Sequence, residues 1–545
     1  MLFLVLLVLP ALSSEVNCQG CHDLLDSFSR ILSNQSLMNH TQEHMVSLCT
    51  FFMRKEVCEG LNKLYTSNWF DVLSQKYLDP SFTCSVLGAC STPKYLPNNF
   101  SEYTKEVLKD MPSQKTWPDA SGSTFKVVQV TDMHVDWDYK PGSEERCHDM
   151  LCCREGKGSA GLWGTRGRCD PPPQTVQVFL DQINNMDIDF VVWTGDNPPH
   201  NIWAYEREAE MNVTKKLVKM FRETLKVPVY PVIGNHDCFP MDLFKPSQEQ
   251  LLLNSLAELW SAWLSPPEIK QFLENGFYST KNKETGLKII GINSEMGDNF
   301  NTWLILNNTD PGNMLAWLRK ELYQAETSNE KVLIIGHIPP GGRFGESDWA
   351  MRYQVIINRF QNIIVGQMFG HTHQDEFELV PSLVEGLNPA SVLYVAPSFT
   401  SFSFQNPSFR VYEFDLQTKH LVDVHQYRLP LYKLDRTEPS FEKAYSMKEE
   451  YAMKDLSASS FEKLVEDVRN NSTLAQKFYN NYFAVYSFEA QKCNQECIQM
   501  LYCRVKSNIF NDYMKCVESP LLPDYALYVF QELMGNWLYK SNHTY

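Results

Sequence analysis

Val127-Val128-Gln129-Val130-Thr131-Asp132-Met133-His134 is the stretch that decides the fold, because an apolar run ends there in two side chains that can bind a metal ion. A β-strand aims alternate side chains at the same side, so Asp132 and His134 can both reach one ion. Four later stretches repeat this arrangement in order along the chain. They are Gly195-Asp196, Gly234-Asn235-His236-Asp237, Gly336-His337 and Gly370-His371-Thr372-His373. Together the stretches predict a centre in which two metal ions share a bridging ligand.

Each of these stretches is common when taken singly. A Gly-Asp or Gly-His pair is more often a turn or the start of a helix, and Asn235-His236-Asp237 could be a plain turn. Each follows a short apolar run, however, so successive strand ends would deliver ligands to one place. The preceding glycines permit tight turns and a close approach of the backbone to an ion or phosphate. The joint pattern therefore favours a metal-dependent phosphoesterase over a set of unrelated turns.

Length and composition set the broad class of the chain. With 545 residues it is too long for one compact core, so two or three domains are expected. Hydrophobic residues make up 43% and charged residues 21%, which is typical of a globular protein rather than a disordered one. The net charge of −16 repels nucleic acid at neutral pH, so no nucleic-acid partner is expected.

The N-terminus and the cysteines indicate the secretory pathway. Residues 1–14 read as a signal peptide, with an apolar run from Leu2 to Leu9 and small residues after it. The 15 cysteines form clusters of six, four and four with Cys238 left over, and even counts favour disulfides in an oxidising compartment. The Asn-x-Ser/Thr sites predicted to carry glycans are Asn34, Asn39, Asn99, Asn212, Asn307, Asn470, Asn471 and Asn542. We therefore expect a glycosylated protein that is lysosomal, secreted or both.

The segments after the signal peptide differ in pattern. Residues 15–92 show helical periodicity, and residues 93–123 form a proline-rich linker. In residues 124–435, apolar runs alternate with helical stretches, which indicates a layered α/β domain. The runs are Lys126–Val130, Phe190–Trp193, Val229–Ile233, Lys288–Ile292, Val332–Ile335, Ile363–Val365 and Val392–Val395. Residues 436–545 return to helical spacing. The predicted fold class is thus an α/β core between an N-terminal all-α domain and a C-terminal helical, disulfide-bonded extension.

The first segment resembles a saposin B-type domain in its order of cysteines. These are Cys18, Cys21, Cys49, Cys58, Cys84 and Cys90. Spacing alone cannot choose among the possible pairings of six cysteines. The resemblance implies the bridges Cys18–Cys90, Cys21–Cys84 and Cys49–Cys58. It also implies a unit that contacts lipid, with a small stapled bundle that only packs on its neighbour as the alternative.

The ligand stretches resemble the calcineurin-like metallophosphoesterase superfamily over residues 125–425, with the blocks DxH, GD, GNH, GH and GHTH in the same order. The resemblance implies two ligand sets that share Asp196 as the bridging residue. One set is Asp132, His134, Asp196 and His373, and the other is Asp196, Asn235, His337 and His371. Imidazole ligands favour zinc over calcium or magnesium, and iron or manganese would also suit the set. Two zinc ions per chain are the expected cofactor.

The chemistry expected of such a centre needs one further group. Two ions can clamp phosphoryl oxygens and activate a hydroxide, but the departing alkoxide must gain a proton. His236, beside the ligand Asn235, is the first candidate for this acid, and His200, in a loop stiffened by two prolines, is the second. Either histidine could instead orient a ligand or the phosphate. Phe402 is a weaker candidate for contact with a quaternary ammonium, with core packing as the alternative.

Nearly the whole mature chain is similar to the acid sphingomyelinase family. Beyond the ligands, the similarity is carried by the later cysteine clusters and by Asn308-Thr309-Asp310-Pro311, Gly336–Gly341 and Gly370–Phe377. The resemblance implies hydrolysis of sphingomyelin, in membranes or lipoproteins, to ceramide and phosphocholine. It also implies the bridges Cys147–Cys152, Cys153–Cys169, Cys493–Cys497 and Cys503–Cys516. Unlike the family, the chain lacks both cysteines of a further bridge expected near Gly297 and Arg343, and Cys238 is expected to be a free buried thiol.

Two other functions stay open. The first is a luminal or secreted nucleotide or phosphodiester hydrolase on the same core, against which the six cysteines of the first segment argue. The second is a lipid-binding protein with an inactive catalytic domain, against which the complete ligand set argues. For a sphingomyelin hydrolase, a membrane surface reached through the saposin-like segment is the expected partner. The sequence makes no prediction of the oligomeric state.

Overall fold

The computed structural model describes residues 18–32, 35–51, 53–76, 79, 84, 100–342, 344–434 and 438–517. The predicted signal peptide, Cys90 and the glycosylation sites Asn34, Asn99 and Asn542 lie outside these described residues. The bridge Cys18–Cys90 therefore stays a prediction.

Two six-stranded sheets form the centre of the α/β domain. The strands are β1 (Thr124–Val130), β2 (Phe190–Trp193), β3 (Val229–Pro231), β4 (Tyr278–Lys281), β5 (Lys288–Gly291), β6 (Val332–Ile335), β7 (Ile364–Phe369), β8 (Glu376–Val380), β9 (Ser391–Val395), β10 (Ser408–Asp415), β11 (Leu421–Arg428) and β12 (Glu442–Ser446). The first sheet has the order β12-β11-β10-β1-β2-β3, and the second has the order β4-β5-β6-β7-β9-β8. Strands β1 to β3 are parallel, as are β5, β6, β7 and β9, whereas the other pairings are antiparallel.

Apolar runs that are buried on both faces produce the parallel strands. β2 and β6 are buried at every position, as expected where other layers cover both faces of a sheet. All seven predicted runs overlap strands, namely β1, β2, β3, β5, β6, β7 and β9. The two sheets share one apolar core, and a polar contact also joins them, because Gln129 Nε2 in β1 donates to the Phe369 carbonyl oxygen in β7 at 2.9 Å.

Helices surround the sheets and form both ends of the described chain. They are α1 (Cys18–Leu32), α2 (Gln35–Cys49), α3 (Lys55–Lys76), α4 (Phe100–Leu108), α5 (Pro173–Asn184), α6 (Arg207–Thr224), α7 (Gln250–Trp260), α8 (Pro266–Asn275), α9 (Met314–Thr327), α10 (Ser347–Phe360), α11 (Met447–Glu450), α12 (Ala458–Asn470), α13 (Ser472–Tyr482), α14 (Gln495–Lys506) and α15 (Phe510–Cys516). α5 buries one apolar stripe that includes Val176, Phe179 and Ile183, whereas α10 is buried on nearly all sides.

The sheet extends into the segment that was expected to be purely helical. β12 pairs antiparallel with β11, where Tyr445 lies opposite Gln426. The expected domain boundary between residues 435 and 436 thus lies between two paired strands of one sheet, and the division of the chain into domains there stays a prediction. β12 is exposed over its first three residues, so it lacks the apolar run that identifies the other strands.

The described part of the expected linker is bound to the α/β domain. Gln114 Nε2 donates to Gln361 Oε1 at 3.0 Å, and the Lys115 amide donates to Asn362 Oδ1 at 3.0 Å. Asn362 Nδ2 donates in return to the Ser113 carbonyl oxygen at 2.9 Å. These bonds make this stretch a strap on the domain surface rather than a free spacer.

Six of the seven predicted disulfides are present. They are Cys21–Cys84, Cys49–Cys58, Cys147–Cys152, Cys153–Cys169, Cys493–Cys497 and Cys503–Cys516. Cys238 is free and buried, as predicted. The glycosylation sites within the described residues, Asn39, Asn212, Asn307, Asn470 and Asn471, are exposed. Among the described helices, none combines the length and the apolar character needed to cross a bilayer.

Candidate metal centre

The predicted ligands follow five strands and meet at one edge of the two sheets. β1 leads into Asp132 and His134, β2 into Asp196, β3 into Asn235, β6 into His337, and β7 into His371 and His373. Hydrogen bonds join the loops directly. The Asp132 amide donates to the Gly195 carbonyl oxygen at 3.1 Å, and the Gly370 amide donates to the His337 carbonyl oxygen at 2.8 Å. The structure thus brings all seven predicted ligands together, and only His371 and His373 are partly exposed.

The ligand atoms fall into two groups. One consists of Asp132, His134 and His373, and the other of Asp196, His337 and His371; within each group the ligand atoms lie within 4.8 Å of one another. Asn235 joins the second group, because its Oδ1 lies 2.9 Å from His337 Nε2 and 2.9 Å from His371 Nδ1. Oxygen and imidazole nitrogen in each group form a donor set that suits a divalent transition metal.

Asp196 lies between the two groups. Its Oδ2 is 3.4 Å from His134 Nε2, in the first group, and 3.2 Å from His337 Nε2, in the second. Its other carboxylate oxygen, Oδ1, accepts a hydrogen bond from the His236 amide at 2.8 Å. This placement is what a carboxylate needs in order to bridge two ions.

The histidine tautomers also fit metal binding. His134 Nδ1 lies 2.8 Å from the Pro198 carbonyl oxygen, and His337 Nδ1 lies 2.6 Å from the Thr194 carbonyl oxygen. A carbonyl oxygen only accepts, so each Nδ1 carries the proton and each Nε2 keeps a lone pair for an ion. Within the described part of the chain, the buried His134 Nε2 has no hydrogen-bond partner, which an ion at this position would supply.

The backbone at the centre adopts conformations that most residues avoid. Five of the ligands have a positive φ: Asp132, His134, Asp196, His371 and His373. Such left-handed conformations cost about 1 kcal/mol or more each and cluster at functional sites. Two glycines permit close contacts here. A Cβ at Gly234 would lie 2.2 Å from Asp196 Oδ1, and one at Gly370 would lie 1.9 Å from Thr131 Oγ1.

Two buried aspartates hold the ligands in place. Asp237 Oδ2 accepts from the Gly234 amide at 2.9 Å and from the Asp196 amide at 3.1 Å. Asp242 Oδ1 accepts from Asn235 Nδ2 at 2.7 Å, which turns the amide oxygen of Asn235 toward the centre. Burial raises the pKa of Asp237 to about 6 and that of Asp242 to about 7, with the Asp196 carboxylate adding to both shifts.

The two candidate acids lie beside the first ligand group. The His134 ring centroid is 4.0 Å from that of His200 and 4.6 Å from that of His236. His200 Nδ1 lies 2.8 Å from Asp170 Oδ1, and Thr400 Oγ1 donates to the same oxygen at 2.8 Å. The partner of His200 is therefore a buried carboxylate.

His236 has a phenol as its partner instead of a carboxylate. Its Nδ1 lies 2.7 Å from Tyr205 Oη, which also lies 2.9 Å from the Pro199 carbonyl oxygen. Tyr205 thus connects His236 to the loop that carries His200. Phe402 lies against His200. It is partly exposed and stacks on the His200 ring, with ring centroids 3.9 Å apart and planes inclined by 9°.

Sequence reasoning missed Asp170, Asp242 and Tyr205. Asp170 stands in Cys169-Asp170-Pro171-Pro172-Pro173, where a disulfide and three prolines fix the backbone, and that rigidity is the signal that could have identified it. Asp242 and Tyr205 lie in loops whose sequences show no comparable signal.

Paired ligand groups at one edge of two mixed sheets define this chain as a metallophosphoesterase. The family profile of calcineurin-like phosphoesterases matches residues 125–375, and that of the acid sphingomyelin phosphodiesterase C-terminal region matches residues 388–522. The chain is 32% identical to sphingomyelin phosphodiesterase A of Dictyostelium discoideum, over 92% of this chain and 91% of that protein. It is 31% identical to sphingomyelin phosphodiesterase 1 of Caenorhabditis elegans, over 92% of each. The chain belongs to the sphingomyelin phosphodiesterase family.

A further relative is named for a different substrate. The chain is 30% identical to the cyclic GMP-AMP phosphodiesterase of Homo sapiens, over 71% of this chain and 89% of that protein. The share of this chain that is covered is thus smaller than for the sphingomyelin phosphodiesterases.

Proposed function

We propose that this protein hydrolyses sphingomyelin to ceramide and phosphocholine. The observation that carries the proposal is the pair of ligand groups that share Asp196, in a chain that matches sphingomyelin phosphodiesterases over nine-tenths of its length. Phosphodiester hydrolysis is the chemistry that a paired metal centre serves best, because phosphoryl oxygens need charge neutralisation during attack.

The cofactor we propose is a pair of zinc ions, held by the two ligand groups with Asp196 between them. Iron or manganese would fit the same donors. Such ions, when bound, supply positive charge to the phosphoryl oxygens and lower the pKa of a water molecule to near neutrality. Side chains of the protein perform the other roles: they hold the ligands, orient the substrate and protonate the leaving group.

Of the two candidate acids, His200 has the more suitable surroundings. The Asp170 carboxylate can accept a hydrogen bond from Nδ1–H of His200, and its negative charge complements a protonated ring. Nε2 is then left to donate its proton to the ceramide oxygen. The phenol beside His236 offers no negative charge. We therefore propose His200 as the acid and His236 as the group that orients the phosphate.

Phe402 is proposed to contact the choline group. One face of its ring is covered by His200, and the ring is partly exposed, so it is not a core side chain. The face of an aromatic ring attracts a quaternary ammonium. A headgroup beside Phe402 would place its phosphate near the metal ligands, since His200 stacks on Phe402 and contacts His134.

The N-terminal helical unit is proposed to contact membrane lipid. Met45, Leu48 and Phe51, at the end of α2, and Trp69, on α3, are large apolar side chains exposed to solvent. Exposed apolar side chains of an amphipathic helix bind at the boundary of headgroups and acyl chains. The disulfides of this unit suit a lysosomal or secreted protein, which is the location we propose.

The test measures phosphocholine release from vesicles that contain sphingomyelin at pH 5, together with the metal content of the same preparation. A strong chelator should stop the release, and zinc, manganese or iron added back singly should identify the active metal. His373→Ala should lose bound metal and at least about a hundredfold in turnover. His425→Ala is the matched control, because His425 is a partly buried histidine in β11 that pairs with Glu413. Active protein without bound metal, or no release by the metal-loaded protein, would contradict the proposal.

The second candidate function is cleavage of a nucleotide phosphodiester, which the similarity to the cyclic GMP-AMP phosphodiesterase supports. Cyclic GMP-AMP and ATP assayed beside sphingomyelin vesicles would separate the two. A preference for the nucleotides over sphingomyelin would favour this candidate.

A further inference from the structure

Three aromatic side chains that contact one another, and a fourth that Arg166 links to them, form a partly exposed cluster where the α/β domain meets the C-terminal extension. We call this cluster, which consists of Phe404, Tyr432, Tyr486 and Phe488, the aromatic rim. The Tyr432 ring centroid lies 5.0 Å from that of Tyr486 and 4.9 Å from that of Phe488. Phe404 is 46%, Tyr432 47% and Phe488 66% exposed. Large aromatic side chains that contact one another and yet face solvent indicate an interaction surface.

Arg166 joins the parts of the aromatic rim. Its Nε donates to the Phe404 carbonyl oxygen at 2.9 Å, and its guanidinium group forms an ion pair with Glu489. Glu489 also accepts a hydrogen bond from the Tyr486 amide at 2.9 Å. Segments that are distant in sequence are thus fixed beside each other, so the aromatic rim is a built surface rather than a chance grouping of mobile loops.

The aromatic rim adjoins the site of the proposed reaction. Phe404 lies two residues from Phe402, which stacks on His200. Gly167, next to Arg166, forms a parallel bridge with Phe402. A molecular surface that rested on the aromatic rim would therefore also lie next to the proposed choline contact.

The backbone at Phe404 is strained. Ser403 and Phe404 have φ values of 68° and 69°, in the left-handed region that bulky residues avoid. Burial of the Phe404 ring does not offset this cost, because nearly half of the side chain is exposed. Strain that holds an aromatic ring out toward solvent points to a role for the exposed ring.

The charges around the aromatic rim cancel in pairs. Arg166 pairs with Glu489, and Lys433, next to Tyr432, pairs with Glu442 at 2.9 Å. These two pairs add no net charge to the surface of the rim, on a chain whose net charge is −16, and Arg428, which lies near Tyr486, is buried. Neutrality complements a zwitterionic surface, on which charges also cancel, and tyrosine is enriched at the boundary between water and lipid.

We propose that the aromatic rim is a second membrane contact, formed by the α/β domain together with the C-terminal extension, that rests on the headgroup region of a zwitterionic phospholipid bilayer. It deepens the proposed function, on which it rests, by adding a contact separate from the N-terminal helical unit. The loop of His200 lies between the two contacts. On one side of this loop, Trp203 packs closely on α3, because a Cβ at Gly60 would lie 2.0 Å from the Trp203 carbonyl oxygen. On the other side of the loop, His200 stacks on Phe402.

A fluorescent reporter at the aromatic rim tests this proposal without measuring activity. Phe488→Cys, labelled with the environment-sensitive dye NBD, is mixed with phosphatidylcholine vesicles that contain sphingomyelin. We expect the emission to move to shorter wavelength and rise severalfold. Tyr323→Cys, labelled in the same way, is the matched control, because Tyr323 is 60% exposed on α9, outside the aromatic rim. Its emission should not change.

A substrate comparison provides the second measurement. Tyr432→Ser combined with Phe488→Ser should lower turnover of vesicle sphingomyelin by on the order of tenfold, because two apolar membrane contacts are lost. Turnover of bis(4-nitrophenyl) phosphate, a soluble phosphodiester, should be unchanged. Tyr323→Ser should leave both activities unchanged. An equal loss on both substrates by a protein that keeps its unfolding transition would overturn the proposal, because the two side chains would then act on the catalytic site and not on contact with the membrane.

The remaining outcomes also decide the matter. If the protein floats with vesicles but the label at residue 488 reports no change, only the N-terminal unit contacts the membrane and the proposal is wrong. If the label changes with protein concentration in the absence of vesicles, the aromatic rim binds a second copy of the chain, which likewise overturns it. If the label responds to vesicles but sphingomyelin stays intact, the membrane contact stands and the proposed function fails.

Discussion

Asp170→Asn tests whether His200 protonates the leaving group. The Asp170 carboxylate is buried and has three partners: the His200 amide at 2.7 Å, His200 Nδ1 at 2.8 Å and Thr400 Oγ1 at 2.8 Å. The side-chain amide introduced by this substitution would keep the size and one accepting oxygen of the carboxylate but remove its negative charge. The protonated ring of His200 would then lose its counter-charge, while the loop around it would keep most of its packing.

The expected effect follows from the kind of hydrogen bond that changes. A hydrogen bond to a charged group contributes about 1.5–3 kcal/mol and a neutral one about 0.5–1.5 kcal/mol. The difference of about 1–2 kcal/mol corresponds to a loss of roughly 5-fold to 30-fold in kcat. This loss should appear only where the leaving group needs a proton. Sphingomyelin releases an alkoxide, whereas bis(4-nitrophenyl) phosphate releases a stable phenolate.

The assay compares kcat on these two substrates for the parent protein, Asp170→Asn and Thr400→Val. Thr400→Val is the control, because it removes one hydrogen bond to Asp170 and leaves the carboxylate in place. We expect a loss on sphingomyelin and less than about a threefold change on the phenolate ester for Asp170→Asn. An equal loss on both substrates would assign Asp170 a purely structural role, and no loss on either would return the role of acid to His236.

Three further predictions follow from the geometry of the site and its surroundings. Gly370→Ala should lower the metal content of the folded protein, measured by elemental analysis, because a Cβ there would lie 1.9 Å from Thr131 Oγ1 and 2.6 Å from Asp132 Oδ2 and would displace the ligand Asp132. Tyr205→Phe should lower kcat by roughly threefold to tenfold, since His236 loses the hydroxyl group that orients it; no change in kcat would remove that role. Burial raises the pKa of Glu210 to about 8, so the folded state holds a proton that the unfolded state releases above pH 4.5, and the free energy of unfolding should fall as pH rises between these values. The fall should be no more than about 3 kcal/mol between pH 5 and pH 7.5, and Glu210→Gln should reduce it in urea titrations.

The ligand set could be predicted from the sequence because the residues that identify each ligand lie close to it along the chain. In four of the five stretches the apolar run ends two or three residues before a ligand, so the strand and the chemistry appear together, as in Val127–His134; the run Ile363–Val365 ends six residues before His371. The topology then places the ends of parallel strands together. The antiparallel strand β12 could not be predicted in this way, because it is short and mostly exposed and has no apolar run.

The groups that support the ligands could not be predicted in the same way. Asp170 and His200 are 30 residues apart, and Tyr205 and His236 are 31 apart, in loops without periodicity. Their contacts depend on how loops fold over the sheets, which no local pattern encodes. Which of His236 and His200 is the better candidate for the acid could not be predicted either, because the choice depends on hydrogen-bond partners that only the tertiary structure reveals.

The spread of the ligands along the chain has a consequence for biosynthesis. The first ligand, Asp132, leaves the ribosome well before His371 and His373, and the His371 amide donates to the Asp132 carboxylate at 3.0 Å only once the later strands have docked. Each ligand group is therefore complete only after the last of its histidines has been synthesised. If the chain enters the secretory pathway, as proposed, the metal would be taken up there, and the supply of metal in that compartment would limit the amount of active enzyme.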